Sequence, residues 1–232
     1  SIKLDGIKCL LMQDQNAAFS AYEAGDALMI KDIPTQEITT LQKRPDYHID
    51  PQLGTYFIDL NNTLDEFKDA KVRQALSLAL DRKYISETIT AGTYTPAKGF
   101  IPQGVSDWDG SSWYDHLTDP SVYINVDDYQ ANLAKAKELL AEAGHPNGEG
   151  LPTLTYSTND SAYHKKIAEY LQQAWGELGL KIDVNIVEWK SFTPQRRSGN
   201  YQIARDGWVM DYDDPSNILN LTATGNGNNS SK

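Results

Sequence analysis

Cysteine is all but missing: Cys9 is the only one in 232 residues. No internal disulfide and no redox pair can form, so the fold rests on packing and hydrogen bonds. A lone cysteine can carry a lipid, but no apolar stretch precedes this one. Ile7 and Leu10 flank it in strand-like alternation, which predicts a core position for Cys9. No apolar run is long enough to span a membrane, and no signal-peptide pattern is present. Histidine is scarce, and His48, His116, His145 and His164 stand at no metal-ligand spacing and beside no CxxC pair. They are expected on the surface or in loops, and neither a metal nor a cofactor is predicted. No glycine-rich phosphate loop follows a strand, since Gly104, Gly110 and Gly148 fall in irregular stretches, and no GxSxG elbow occurs. Positive charge is short as well. A net charge of −11 argues against nucleic acid or an anionic membrane surface as partner.

What the chain has is 40% hydrophobic residues, enough for a packed core, and a load of 13 tyrosines and 5 tryptophans. Apolar spacing predicts strands at 3–11, 28–30, 54–60, 153–157, 181–188 and 201–206. It predicts helices at 14–25, 34–43, 69–80, 83–91, 127–143, 160–178 and 189–198. The clearest helix carries Val72, Ala75, Leu76 and Ala79 on one face. Residues 93–126 hold no period and read as a long loop, a kind of segment that is usually functional or mobile. Strands alternate with helices, which predicts an α/β sandwich with a mixed sheet. The start falls at once into a strand pattern, and residues 225–232 are a polar tract without a closing element. Both ends lead us to expect a piece of a longer, exported chain.

Two groups of residues could carry chemistry. Asp211, Tyr212, Asp213, Asp214 and Pro215 form the densest acidic cluster. It reads as a solvated turn, as a carboxylate pair for glycoside hydrolysis, as a calcium loop, or as a counter-charge for a cation walled by Trp208. The calcium reading lacks the glycine and distal glutamate of an EF-hand, and adjacent residues set no carboxylate separation across a cleft. Arg196, Arg197 and Arg205 are a small basic group in an acidic protein, suited either to surface acids or to a ligand carboxylate. An arginine on one side and an aspartate on the other would suit a zwitterion.

Four segments then carry a resemblance. Residues 72–82 (Val-Arg-Gln-Ala-Leu-Ser-Leu-Ala-Leu-Asp-Arg) and 135–144 (Lys-Ala-Lys-Glu-Leu-Leu-Ala-Glu-Ala-Gly) match two family helices. Glu188-Trp189-Lys190 and Arg196-Arg197-Ser198-Gly199 follow at family spacing. The run from Ala204-Arg205-Asp206-Gly207-Trp208 to Asp213-Asp214-Pro215 is the strongest. The chain resembles the extracytoplasmic solute-binding proteins of family 5, and that last stretch looks like the oligopeptide branch. The resemblance implies an incomplete type II periplasmic-binding-protein lobe, with a mixed sheet flanked by helices. Residues 1–53 would be the terminal part of a first lobe and 54–232 a second lobe truncated at its end. It implies a bacterial, extracytoplasmic, monomeric receptor, lipid-anchored or periplasmic, that hands short peptides to the permease subunits of an ABC importer and is not an enzyme. Asp211 would meet the peptide's α-ammonium, and Trp189, Arg196, Arg205 and Trp208 would line pockets. Thr90 stands where known members carry a lysine able to meet a ligand carboxylate. Another solute, an oligosaccharide or nickel chelate, is the alternative; a hydrolase using Asp211 and Asp213 is a more distant one.

Overall fold

Four strands form one sheet in the order β1-β4-β2-β3, with β1 at Gly54–Leu60, β2 at Leu154–Asn159, β3 at Ile182–Val187 and β4 at Ile203–Val209. This computed structural model describes residues 3–12, 14–116 and 124–232. The chain divides into two compact units, residues 1–50 and 51–232, and the sheet belongs to the second.

The sheet is mixed. β1 runs antiparallel to β4, from Gly54 opposite Val209 to Leu60 opposite Ile203. β2 runs parallel to β3 along its whole length. Between β2 and β4 the parallel ladder holds only at Tyr156–Ile203 and Ser157–Ala204. Parallel neighbours need helical crossovers, and the sequence supplies them. Helix α6 (Ala162–Gly176) links β2 to β3, and α7 (Trp189–Ser198) links β3 to β4.

The two crossovers pack on opposite faces. On one face α6 buries Ile167, Ala168, Leu171 and Trp175 against Leu154, Tyr156 and Ile203. Two further helices complete this main core: α3 (Ala70–Leu78), with Val72, Ala75 and Leu76, and α5 (Tyr129–Glu142), with Ala136, Leu139 and Leu140. Each large apolar side chain sealed there contributes about 1.5–3 kcal/mol. The Trp175 indole donates to Leu76 O at 2.9 Å, so its one polar atom is satisfied. On the other face Phe192 of α7 packs with Tyr201 and Ala204. Ile203 and Ala204 are consecutive on β4 and therefore point to opposite faces.

Helix starts follow their caps. Asp69 accepts from Lys71 N, and Asp128 accepts from Ala131 N. The expected second helix at 83–91 is shorter and wider than its periodicity implied: a three-residue α4 (Arg82–Tyr84) passes into a π-helical turn, Ile85–Ile89. Thr90 closes that turn, buried, its hydroxyl donating to Ser86 O at 2.7 Å. In its described residues the long loop predicted at 93–126 is irregular apart from the isolated bridge Ser106–Ser112 and the turn Trp113–His116; residues 117–123 lie outside the described part. Part of the described loop is anchored. Ile101 and Val105 bury with Ile218 and Leu221, from the short α8 (Ser216–Leu219) and the turn after it, as a second core.

In residues 1–50 the helix expected at 14–25 forms as α1 (Gln15–Glu23), capped by Asp14 on Ala17 N. The helix expected at 34–43 contracts to α2 (Ile38–Leu41). The strands expected at 3–11 and 28–30 do not form. A strand needs a neighbour to accept its ladder, and among the described residues these segments have none. Leu4, Ile7, Leu11, Leu28 and Met29 are exposed instead, and so is Cys9, whose core assignment is corrected: the alternation was real, but no layer covers it.

Candidate functional site

The two crossover helices leave β2 and β3 toward opposite faces of the sheet. Where connections part in this way, a crevice opens at the carboxyl ends of the strands. The β2–β4 ladder beside it is short. After Ser157 and Ala204 the two strands diverge, and the Arg205 side chain crosses the gap, its Nε donating to Asn159 Oδ1 at 2.7 Å.

Arg205 is held by rings as well. Its guanidinium carbon lies 4.9 Å from the Trp189 ring centre, 5.6 Å from Phe192 and 5.9 Å from Tyr56. Trp189 is the first residue of α7 and half exposed, so it forms one wall with a face toward solvent. A guanidinium stacked on rings and tied at one nitrogen keeps a rigid orientation while its other N–H groups stay available. Beside it, Tyr56 Oη and His164 Nδ1 are in hydrogen-bond reach at 3.1 Å, and the two rings stack at 5.6 Å. Burial, with Arg205 adding to it, pushes the His164 imidazole down to about 4, so this ring is neutral at pH 7.

Arg196 sits differently. It forms an ion pair with Asp206, both side chains largely buried, and its Nη1 donates to Arg205 O at 3.4 Å. Burial pulls the guanidinium below its ordinary range, with the Asp59 carboxylate opposing. The structure therefore places Arg196 against an acid of its own chain, where it supports the backbone of β4 under Arg205.

Past Arg205, β4 presents Trp208 and then the acidic turn. Trp208 packs on the second core and donates from its indole nitrogen to Asn217 Oδ1 at 2.7 Å. The same Asn217 oxygen receives Asp211 N at 3.4 Å, so Asn217 fixes the spacing of the two. The Asp211 carboxylate is exposed and has no hydrogen bond or ion pair among the described residues. Asp213 is engaged: its two carboxylate oxygens accept from Ser106 N at 2.9 Å and Ser106 Oγ at 2.7 Å. Asp214 accepts from Ser216 N at 2.8 Å.

Trp189 and Arg205 are thus in contact, Trp208 and Asp211 share Asn217, and Arg196 stands behind the strand. Thr90 is buried and offers no polar group to the crevice. Asn159, Tyr56 and Asn217 were not singled out from sequence, and His164, expected on the surface or in a loop, is a half-buried helix residue. A signal existed for two of them: Asn159 ends a strand and His164 lies in the first turn of the next helix, where crevice residues fall in α/β sheets.

Residues 1–230 match the family described as bacterial extracellular solute-binding proteins, family 5 middle. The chain belongs to that family. Similar to this family 5 chain is the periplasmic oligopeptide-binding protein OppA of Escherichia coli, 35% identical over 86% of the chain and 36% of the relative. The solved structure of Burkholderia pseudomallei OppA superposes with a TM-score of 0.82 at 30% identity, over 96% of this chain and 43% of that one. Haemophilus influenzae OppA, in complex with the peptide RPPGFSPFR, superposes at 0.75 with 25% identity, over 96% and 43%. The family 5 chain spans about two fifths of the length of the relatives it matches. Its mixed, helix-flanked sheet is that of a type II periplasmic-binding-protein lobe, incomplete with respect to those relatives.

Proposed function

We propose that the protein containing this chain captures short peptides outside the membrane and passes them to the permease subunits of an ABC importer, acting as a monomeric receptor and not as an enzyme. Residues 1–53 are then the end of a first lobe and residues 54–232 most of a second. The observation that carries the reading is the open Asp211 carboxylate, set beside Trp208 at the carboxyl end of the strand whose Arg205 is stacked and oriented. An unpaired carboxylate and a preset guanidinium on one strand end suit the two charges of a zwitterion. Similarity to oligopeptide-binding proteins supports the same ligand class. A hydrolase using Asp211 and Asp213 is less well supported, because Ser106 occupies both oxygens of Asp213.

The test is calorimetry on the protein and its Asp211→Asn variant, with a peptide bearing a free amino terminus and with the same peptide N-acetylated. The variant should lose at least tenfold in affinity for the free amine and much less for the acetylated form. Equal losses would remove Asp211 from the ammonium role.

A further inference from the structure

Asparagine is followed by glycine at two places in the chain, Asn147-Gly148 and Asn226-Gly227. This dipeptide is prone to cyclise, because glycine has no side chain to keep its nitrogen from the preceding amide. The fold treats the two differently. Asn147 lies in the turn after α5 and is exposed, yet its backbone is clamped. Gly148 N donates to His145 O at 3.0 Å, and Asn147 holds a left-handed conformation, φ 53° and ψ 32°. The peptide between them rests on the chain after α6. A Cβ on Gly148 would lie 2.9 Å from Gly179 O, and one on Gly179 would lie 2.0 Å from Asn147 O. Asn226 instead opens a surface turn, its O accepting from Asn229 N at 3.0 Å. Gly227 is exposed, its N makes no hydrogen bond among the described residues, and a Cβ added to it would meet nothing within 4 Å. The Asn226 side chain folds back along this turn, its Oδ1 accepting from Asn228 N at 2.8 Å.

We propose that Asn226 is a site of self-modification, its amide closing onto Gly227 N and hydrolysing to aspartate and isoaspartate, while the fold protects Asn147. Gly227 N gives its proton to base and attacks Asn226 Cγ. The new C–N bond closes a five-membered imide, and the C–Nδ2 bond breaks, Nδ2 leaving protonated as ammonia. Water then opens the imide. Attack at the side-chain carbonyl gives aspartate; attack at the main-chain carbonyl gives isoaspartate, with the chain routed through the former side chain. The net change is amide plus water to carboxylic acid plus ammonia. Asn228 N–H, bonded to Oδ1, stands where negative charge develops during the first attack. At Asn147 the same closure has to break the Gly148–His145 bond and turn ψ far from 32°, against the chain at Gly179. The product bears on an anchored segment. Ser230 is buried and its O accepts from Tyr201 Oη, Asn62 N donates to Ser231 O at 3.0 Å, and Ser231 Oγ donates to Asp59 at 2.7 Å. The extra main-chain carbon of isoaspartate at 226 lengthens the path into these contacts.

The experiment holds the 232-residue chain in warm, mildly alkaline buffer made with heavy-oxygen water, digests samples in acid at intervals and reads the peptides by mass spectrometry. We expect the peptide carrying Asn226 to gain the mass of amide-to-acid exchange, with a heavy oxygen, roughly tenfold or more faster than the peptide carrying Asn147. Gly227→Ala, for which the turn has room, should slow conversion at Asn226 by about the same factor. In urea, with the fold removed, the two sites should convert at similar rates. No conversion at Asn226, equal rates in the folded chain, faster conversion at Asn147, or a difference that persists in urea would overturn the proposal. Those four readings use the unmodified chain, so they decide even if the variant fails to fold.

Discussion

Arg205 and His164 show how single side chains are prepared for binding. Arg205 spends one nitrogen on Asn159 and its face on Trp189, which leaves a fork of N–H donors in a fixed direction. Arg205→Lys keeps the charge but loses planarity, stacking and the fork. We expect it to lower affinity for free-carboxylate peptides by tenfold or more in calorimetry, with an unchanged circular dichroism spectrum. His164 gives a pH dependence whose sign is set by its burial. Its folded value is near 4, below the ordinary 6.5, so between those values the unfolded chain binds more protons. Stability therefore rises with pH across that window and is depressed below it. Urea unfolding at steps from about pH 4 to 6.5 should show this slope, and His164→Gln should flatten it. An unchanged slope in the variant would assign the effect to other groups.

At the scale of elements, tight contacts between connections matter as much as the helices they join. Gly179 follows α6 at φ +80°, and a Cβ there would lie 2.0 Å from Asn147 O, in the turn after α5. Gly179→Ala must both strain the left-handed backbone and push two chain segments apart. It should cost about 3 kcal/mol or more in denaturant unfolding, well beyond an ordinary surface substitution. A cost under about 1 kcal/mol would mean that the 147–179 contact yields easily. Element positions were largely legible from sequence: Asp14, Asp69 and Asp128 cap helices that begin where the spacing placed them. β4 extends beyond the strand expected at 201–206, across Gly207 and Trp208, which break the apolar alternation. The ladder with β1 carries the strand on to Val209.

For the whole molecule, the two units differ in how much they bury. Residues 51–232 hold the main core and both satellite clusters. In residues 1–50 the buried apolar side chains include Ile38 and Leu41, while Leu4, Ile7, Leu11, Leu28 and Met29 face solvent. Segments with few buried apolar contacts open at low free energy. Limited proteolysis should cut within residues 1–50 well before 51–232, leaving a resistant fragment near 20 kDa by mass spectrometry, about four fifths of the chain. Equal resistance along the chain would show that the first unit is stabilised by contacts other than its own apolar packing.

By itself, the sequence determined the α/β class, the family and most helix boundaries, since local spacing and caps act over a few residues and leave their pattern in the chain. It also placed Trp189, Arg205, Trp208 and Asp211 as site candidates, through motifs that lie in continuous runs. Tertiary structure decided the rest. Only the divergence of β2 from β4 brings Asn159 to Arg205, and only the packing of β1 on β4 sets Tyr56 against His164. Arg196 and Arg205 looked alike in sequence, yet one pairs with Asp206 and the other stacks on Trp189. Asp211 and Asp213 looked alike too, until Ser106, more than a hundred residues away, engaged one and left the other open. The physical reason is the same each time. A charged side chain's role depends on which partner reaches it, and partners distant in sequence meet only when the chain has folded.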